Sequence, residues 1–153
     1  MSLNINKDAG ARIVQDAIRS FPDECCGFLF GTETGDERTV SEILIVGNSK
    51  EGDKRRRFEI KPLDYLRAEQ YAATNDLRLL GIYHSHPDHP SVPSEHDRVA
   101  AQPYFSYVIV SVYAGQYKSL QSWRLNDDAQ FEEETVLQNK IPITNNLTIT
   151  WPQ

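Results

Sequence analysis

RLLGIYHSHPDHPSVPSEHDRVA, residues 78–100, joins three kinds of local order in one short stretch. Its first part, RLLGIYH at residues 78–84, is an apolar run of the length and density of a buried strand. Pro87, Pro90 and Pro93 then recur every third residue, which excludes regular structure and makes a stiff loop. Ser94 follows as a helix N-cap with an acid three residues on, so a short helix is expected over residues 94–101.

Upstream of this stretch, Ile13, Val14, Ala17, Ile18 and Phe21 recur at spacings of three and four, which predicts an amphipathic helix over residues 8–20 ending before Pro22. CCGFLF at 25–30 and TVSEILIV at 39–46 read as strands, and residues 55–60 as a third. Pro62 opens a helix over residues 62–76 that Asn75-Asp76 ends. Downstream, residues 105–112 form the most strand-like segment and pair through Ala114-Gly115 with residues 117–125 as a hairpin. Residues 130–137 add a further strand, and 139–153 read as a loosely tied tail. Helices and strands alternate with hairpins among them, so the class is α+β, a mixed sheet flanked by helices, in a single domain over 1–153.

The charge balance narrows the partners. Sixteen Lys and Arg against 22 Asp and Glu give a net charge of −6, which offers phosphate backbones no general attraction, so nucleic acid is not an expected partner. The basic run Lys54-Arg55-Arg56-Arg57 reads as a solvated loop or edge strand rather than a docking site for an acidic partner. No secretory signal and no apolar run of membrane-spanning length is present, which points to a cytoplasmic protein with no membrane partner. Cys25 and Cys26 are adjacent, with Cα atoms about 3.8 Å apart, too close for an ordinary disulfide. Cys26 should share a strand face with Phe28 and Phe30, so core packing is expected rather than thiol chemistry.

All four histidines, His84, His86, His89 and His96, fall within thirteen residues. Imidazole is the commonest nitrogen ligand for zinc, and the period of two along a strand turns His84 and His86 to one face. Asp97 lies eleven residues beyond His86, one turn into the next helix, where a carboxylate can close a coordination triangle. Two His and one Asp leave the fourth tetrahedral position of a Zn2+ ion to water, the mark of a catalytic site. Zinc chemistry on an amide also needs a proton carrier, and Glu24, before the apolar strand, is the best placed acid. On its own a Glu after Pro-Asp at a strand entrance is an ordinary loop residue.

HSHPDHPSVPSEHD at 84–97, with PDECCGFLFG at 22–31, resembles the JAMM, or MPN+, metalloproteases of the Mov34/MPN/PAD-1 family, and the likeness extends over residues 8–125. The resemblance implies that His84, His86 and Asp97 bind zinc, that Glu24 is the general acid/base, and that Ser94 stabilises the developing oxyanion. His89 and His96 match no required position. The family's fold, a curved sheet with helices around it, is similar in outline to the cytidine deaminases. A deaminase reading fails here, because the chain has only the vicinal cysteines and no PCxxC pair. The DNA-repair relatives usually carry HNHPSG where this chain has HSHPDH at 84–89. The chain looks like the compact bacterial branch, which is associated with ubiquitin-like sulfur-carrier proteins. The implied activity is hydrolysis of an amide at a carrier's Gly-Gly tail, extended along a sheet edge. The alternative is a non-catalytic MPN scaffold that binds ubiquitin-like or assembly partners.

Overall fold

The computed structural model describes residues 1–138. In chain order its elements are β1 (Ser2–Ile5), α1 (Lys7–Ser20), β2 (Cys26–Thr34), β3 (Glu37–Val46), α2 (Pro62–Thr74), β4 (Arg78–Pro87), α3 (Glu95–Ala100), β5 (Ser106–Tyr113), β6 (Gln116–Leu125) and β7 (Phe131–Gln138). The fold is mixed α and β, as expected, and the expected tail at 139–153 lies outside the described residues.

The strands run in the order β1-β3-β2-β4-β5-β6-β7, and β1 also pairs with β7, so the expected curved sheet goes further and closes into a barrel. Closure rests on β1, which is parallel to both neighbours: Leu3 lies opposite Arg38 on one side and Val136 on the other. Register shifts after Leu29, after Phe30 and after Ser111 mark bulges, which bend strands and increase their twist. Glycine is required where backbones meet at such bends. A Cβ on Gly31 would sit 1.7 Å from the Thr39 carbonyl oxygen, and one on Gly81 would sit 1.9 Å from that of Ser106.

Two hydrophobic clusters lie on opposite sides of the barrel wall. One takes Leu3, Leu29, Val40, Leu80, Val108 and Leu120 from the strands together with Ile13, Val14 and Ala17 from α1, so α1 packs against the inner side. Its start is set by Asn6, whose side chain accepts from Ala9 N at 2.9 Å. The other cluster is outside, where Ala68 and Ala72 of α2 cover Phe28, Phe30 and Ile82. Along β4, Tyr83 faces in and donates to the buried Asp16 carboxylate of α1 at 2.8 Å. The alternation of the strand then turns His84 and His86 outward.

Three local expectations are corrected. β1 was not expected: only Leu3 and Ile5 of its four residues are apolar and buried, too little pattern to read from sequence. β4 does not end at His84 but runs to Pro87, in parallel register with β5 from Gly81 opposite Ser106 to Pro87 opposite Val112. Residues 55–60 are not a strand. Asn48 and Ser49 hold them instead: their side chains bind Arg57 O, Glu59 N and Glu59 O at 3.0–3.1 Å, and a single backbone bond, Ser49 N to Glu59 O at 2.9 Å, stands where a ladder would run.

Candidate metal centre

His84 and His86 project from the end of β4, and Asp97 reaches them from the first turn of α3. Their ligand atoms lie within 4.8 Å of one another: His84 Nε2 is 3.2 Å from His86 Nε2, and the Asp97 oxygens are 3.4 Å and 3.1 Å from those two nitrogens. Both histidines are buried, His84 at 1% exposure and His86 at 7%. His86 Nδ1 lies 2.8 Å from the Pro90 carbonyl oxygen, which can only accept, so Nδ1 carries the proton and Nε2 presents a bare lone pair. His84 Nε2, His86 Nε2 and the Asp97 carboxylate thus converge on one point, the arrangement of ligand atoms around a cation. The group is placed to hold a metal.

Burial and neighbouring charge push these groups apart in titration. Burial lowers the His84 pKa, which keeps the ring neutral as a ligand must be. For His86 burial acts the same way but is outweighed by Asp97 and the Pro90 carbonyl, and the net shift is upward. Asp97 is held far below the usual carboxylate range; burial opposes this, but the two histidines and the Ser94 amide prevail.

Ser94 both caps α3 and faces the site. Its Oγ accepts from Asp97 N at 3.1 Å, and its amide donates to Asp97 Oδ2 at 2.9 Å, a complete capping box that also fixes the ligand carboxylate. Because Oγ only accepts in that box, its proton remains available toward the adjoining cavity of about 460 Å³, which Ser94 lines together with His86 and Glu24.

Glu24 is buried, at 6% exposure, and its Oε1 has no hydrogen-bond partner. Cys26 pairs with His84 in antiparallel register, so Glu24, two residues earlier, extends the same line toward His86. Ser85, between the two histidines, locks that alignment: its Oγ accepts from Cys25 N at 2.8 Å and its amide donates to Cys25 O at 3.2 Å. Desolvation raises the Glu24 pKa to about 8, with His86 and Arg57 pulling it down and Asp97 pushing it up. A carboxyl in that range can both take and return a proton near neutral pH.

The residues sequence reasoning passed over are those that hold this arrangement. Asn48 donates to Glu24 O at 3.1 Å and to Arg57 O at 3.0 Å, tying the acid to the loop before α2. From that loop Phe58 stacks on the His84 ring, with centroids 4.5 Å apart. Ser91 bonds Ser119 and Gln121 beneath the proline loop at 2.8 Å and 2.6 Å, so the loop that presents the Pro90 carbonyl is pinned as well as proline-stiffened. His89 and His96 stand outside the ligand group, and both are exposed. The basic run is a loop, but not merely solvated, since Arg56 and Arg57 line the cavity beside Glu24. Cys25 and Cys26 are buried free thiols, and burial pushes the Cys26 pKa up to about 12, against any thiolate role.

A barrel wall carrying an outward His-x-His pair, with an acid supplied by the next helix, defines a JAB-type domain whose triad is placed to hold a metal. Residues 6–126 match the family described as prokaryotic homologs of the JAB domain, and the chain belongs to that family. A CysO-cysteine peptidase of Mycobacterium tuberculosis is 33% identical over 132 residues, covering 86% of this chain and 88% of the relative. A desampylase of Pyrococcus furiosus is 27% identical over 126 residues, covering 82% and 84%. Among solved structures, a protein from Desulfitobacterium hafniense superposes with a TM-score of 0.79 at 27% identity, covering 92% of this chain and 94% of that one. A JAB1/MPN domain protein from Archaeoglobus fulgidus shares the fold, with a TM-score of 0.52 at 20% identity over 90% of this chain and 99% of the other.

Proposed function

We propose that the chain is a zinc-dependent peptidase that hydrolyses the amide bond at the C-terminal tail of a ubiquitin-like or sulfur-carrier protein. The observation that carries the reading is the convergence of His84, His86 and Asp97 beside a buried, unpartnered Glu24 oxygen on one cavity. The relatives named as a desampylase and a CysO-cysteine peptidase support the substrate class.

His84, His86 and Asp97 would hold the ion, and three protein ligands suit a catalytic rather than a structural zinc. When bound, zinc supplies Lewis acidity toward water and the scissile carbonyl. Glu24 takes the proton of the attacking water as the new carbon–oxygen bond forms. Ser94 Oγ, already fixed by α3, donates to the oxygen on which charge develops. As the carbon–nitrogen bond breaks, Glu24 returns the proton to the leaving amine, so water is consumed and an acid and an amine are released. A Gly-Gly tail suits a narrow approach, since it brings no side chains to the cavity mouth.

A panel of sulfur-carrier and ubiquitin-like proteins, each extended beyond Gly-Gly, tests this directly. Mass spectrometry should find cleavage immediately after the tail, in zinc-loaded protein and not after chelation. Cleavage at scattered sites, or equal cleavage after the metal is removed, would sink the reading. The scaffold alternative predicts no cleavage at all, and the complete ligand set argues against it.

A further inference from the structure

The two sides of the metal group differ in chemistry. Beyond His84 and Asp97 lies a cavity of about 260 Å³ walled by Phe58, Ile60, Tyr65 and Tyr107, with no lysine or arginine in its lining. On the Glu24 side the larger cavity is lined by Arg56 and Arg57. In a chain of net charge −6, the cationic wall stands beside the acid and not elsewhere around the metal group.

Arg57 is half-buried, and its one side-chain hydrogen bond is to the Arg56 carbonyl oxygen at 2.8 Å. Among the described residues no carboxylate pairs with it, whereas Arg56 has Asp53 at 3.9 Å. Asn48 and Phe58 hold the loop on either side, so the guanidinium is presented by a fixed backbone. It is also near enough to Glu24 for its charge to favour that carboxylate.

The peptidase reading fixes which part of a substrate lies there. Glu24 must deliver its proton to the leaving nitrogen, so the leaving residue occupies the Glu24 side. Two bonds from that nitrogen, about 2.5 Å away, a single released amino acid carries its α-carboxylate. A lysine side chain of a conjugated protein carries no carboxylate near the same atom. We propose that Arg57, assisted by Arg56, is a carboxylate-binding subsite that selects a leaving group ending in a free α-carboxylate one residue beyond the scissile bond. This rests on the peptidase reading for its direction, and its new content is that Arg57 tells a leaving α-carboxylate from a lysine side chain.

Binding separates this inference from catalysis. Zinc-loaded Glu24→Gln protein is titrated calorimetrically with a reduced pentapeptide ending Gly-Gly-Cys, as the free acid and as its carboxamide. The acid should bind about tenfold tighter, the value of a charge-assisted guanidinium–carboxylate contact at a partly open site. The preference should fall to near unity in Arg57→Ala and reverse toward the amide in Arg57→Glu, with circular dichroism unchanged in both. Equal binding of the two peptides, binding of neither, or a preference that survives both substitutions overturns the subsite. Failure of wild-type protein to cleave any carrier fusion would instead sink the peptidase reading, and these binding ratios would still be read independently.

Discussion

Glu24 holds a carboxyl that the fold keeps almost dry and leaves with an unbonded oxygen, and that arrangement has a stability consequence. Its folded pKa, near 8, lies above the ordinary value of 4.5, so the folded state keeps a proton that the unfolded chain releases. Stability from this group is therefore full below about 4.5 and is lost as pH rises toward 8. Metal-free Glu24→Gln protein should be the more stable, with the difference growing across that window to a few kcal/mol, read from urea unfolding of both proteins at several pH values. A pH-independent difference would contradict the burial argument. Metal loading should remove most of the slope, because a nearby dication favours the carboxylate. The same residue marks the limit of sequence reading. His84, His86 and Asp97 are legible because their spacing is local to one strand, loop and helix turn. Glu24 depends on the pairing of Cys26 with His84, a register set across some sixty positions, and only family resemblance singled it out.

Segments 47–61 and 88–93 do at the scale of elements what regular structure would otherwise do. Neither forms a strand, yet each is held by side chains that replace a ladder: Asn48 and Ser49 in the first, Ser91 in the second. The strand expected at 55–60 fails for this reason: its composition is strand-like, but one backbone bond, Ser49 N to Glu59 O, is joined by the Asn48 amide and the Ser49 hydroxyl in place of a ladder. Asn48 makes four hydrogen bonds, to Glu24 O, Arg57 O, Lys50 N and Glu59 N. Asn48→Ala should cost about 1–3 kcal/mol in urea unfolding, since partly buried partners are left without it. It should also lower kcat more than it changes metal content, because it positions Glu24 and Phe58 without touching the ligands directly. Unchanged kcat with reduced stability would leave Asn48 a purely structural residue.

At the scale of the whole molecule, the inner half of the apolar core lies apart from the candidate metal group. The inner cluster under α1 and the outer cluster under α2 are built from apolar side chains, and the ligands sit at the wall's outer end. Barrel closure was illegible in the sequence because it pairs β1 near one end of the chain with β7 near the other, through a strand of four residues. With the inner cluster under α1 built apart from the triad, chelation should lower the melting temperature by only the binding contribution while the far-ultraviolet circular dichroism stays native. Loss of secondary structure on chelation would make the metal structural instead. The account stands most directly on hydrolysis by Glu24 beside a metal held by His84, His86 and Asp97. The decisive measurement is the cleavage rate of a carrier-tail fusion by zinc-loaded wild-type and Glu24→Gln proteins, with metal content determined on the same samples. Equal zinc in both, with a rate lowered on the order of a hundredfold or more in the variant, is the expected result; equal rates at equal zinc would contradict it.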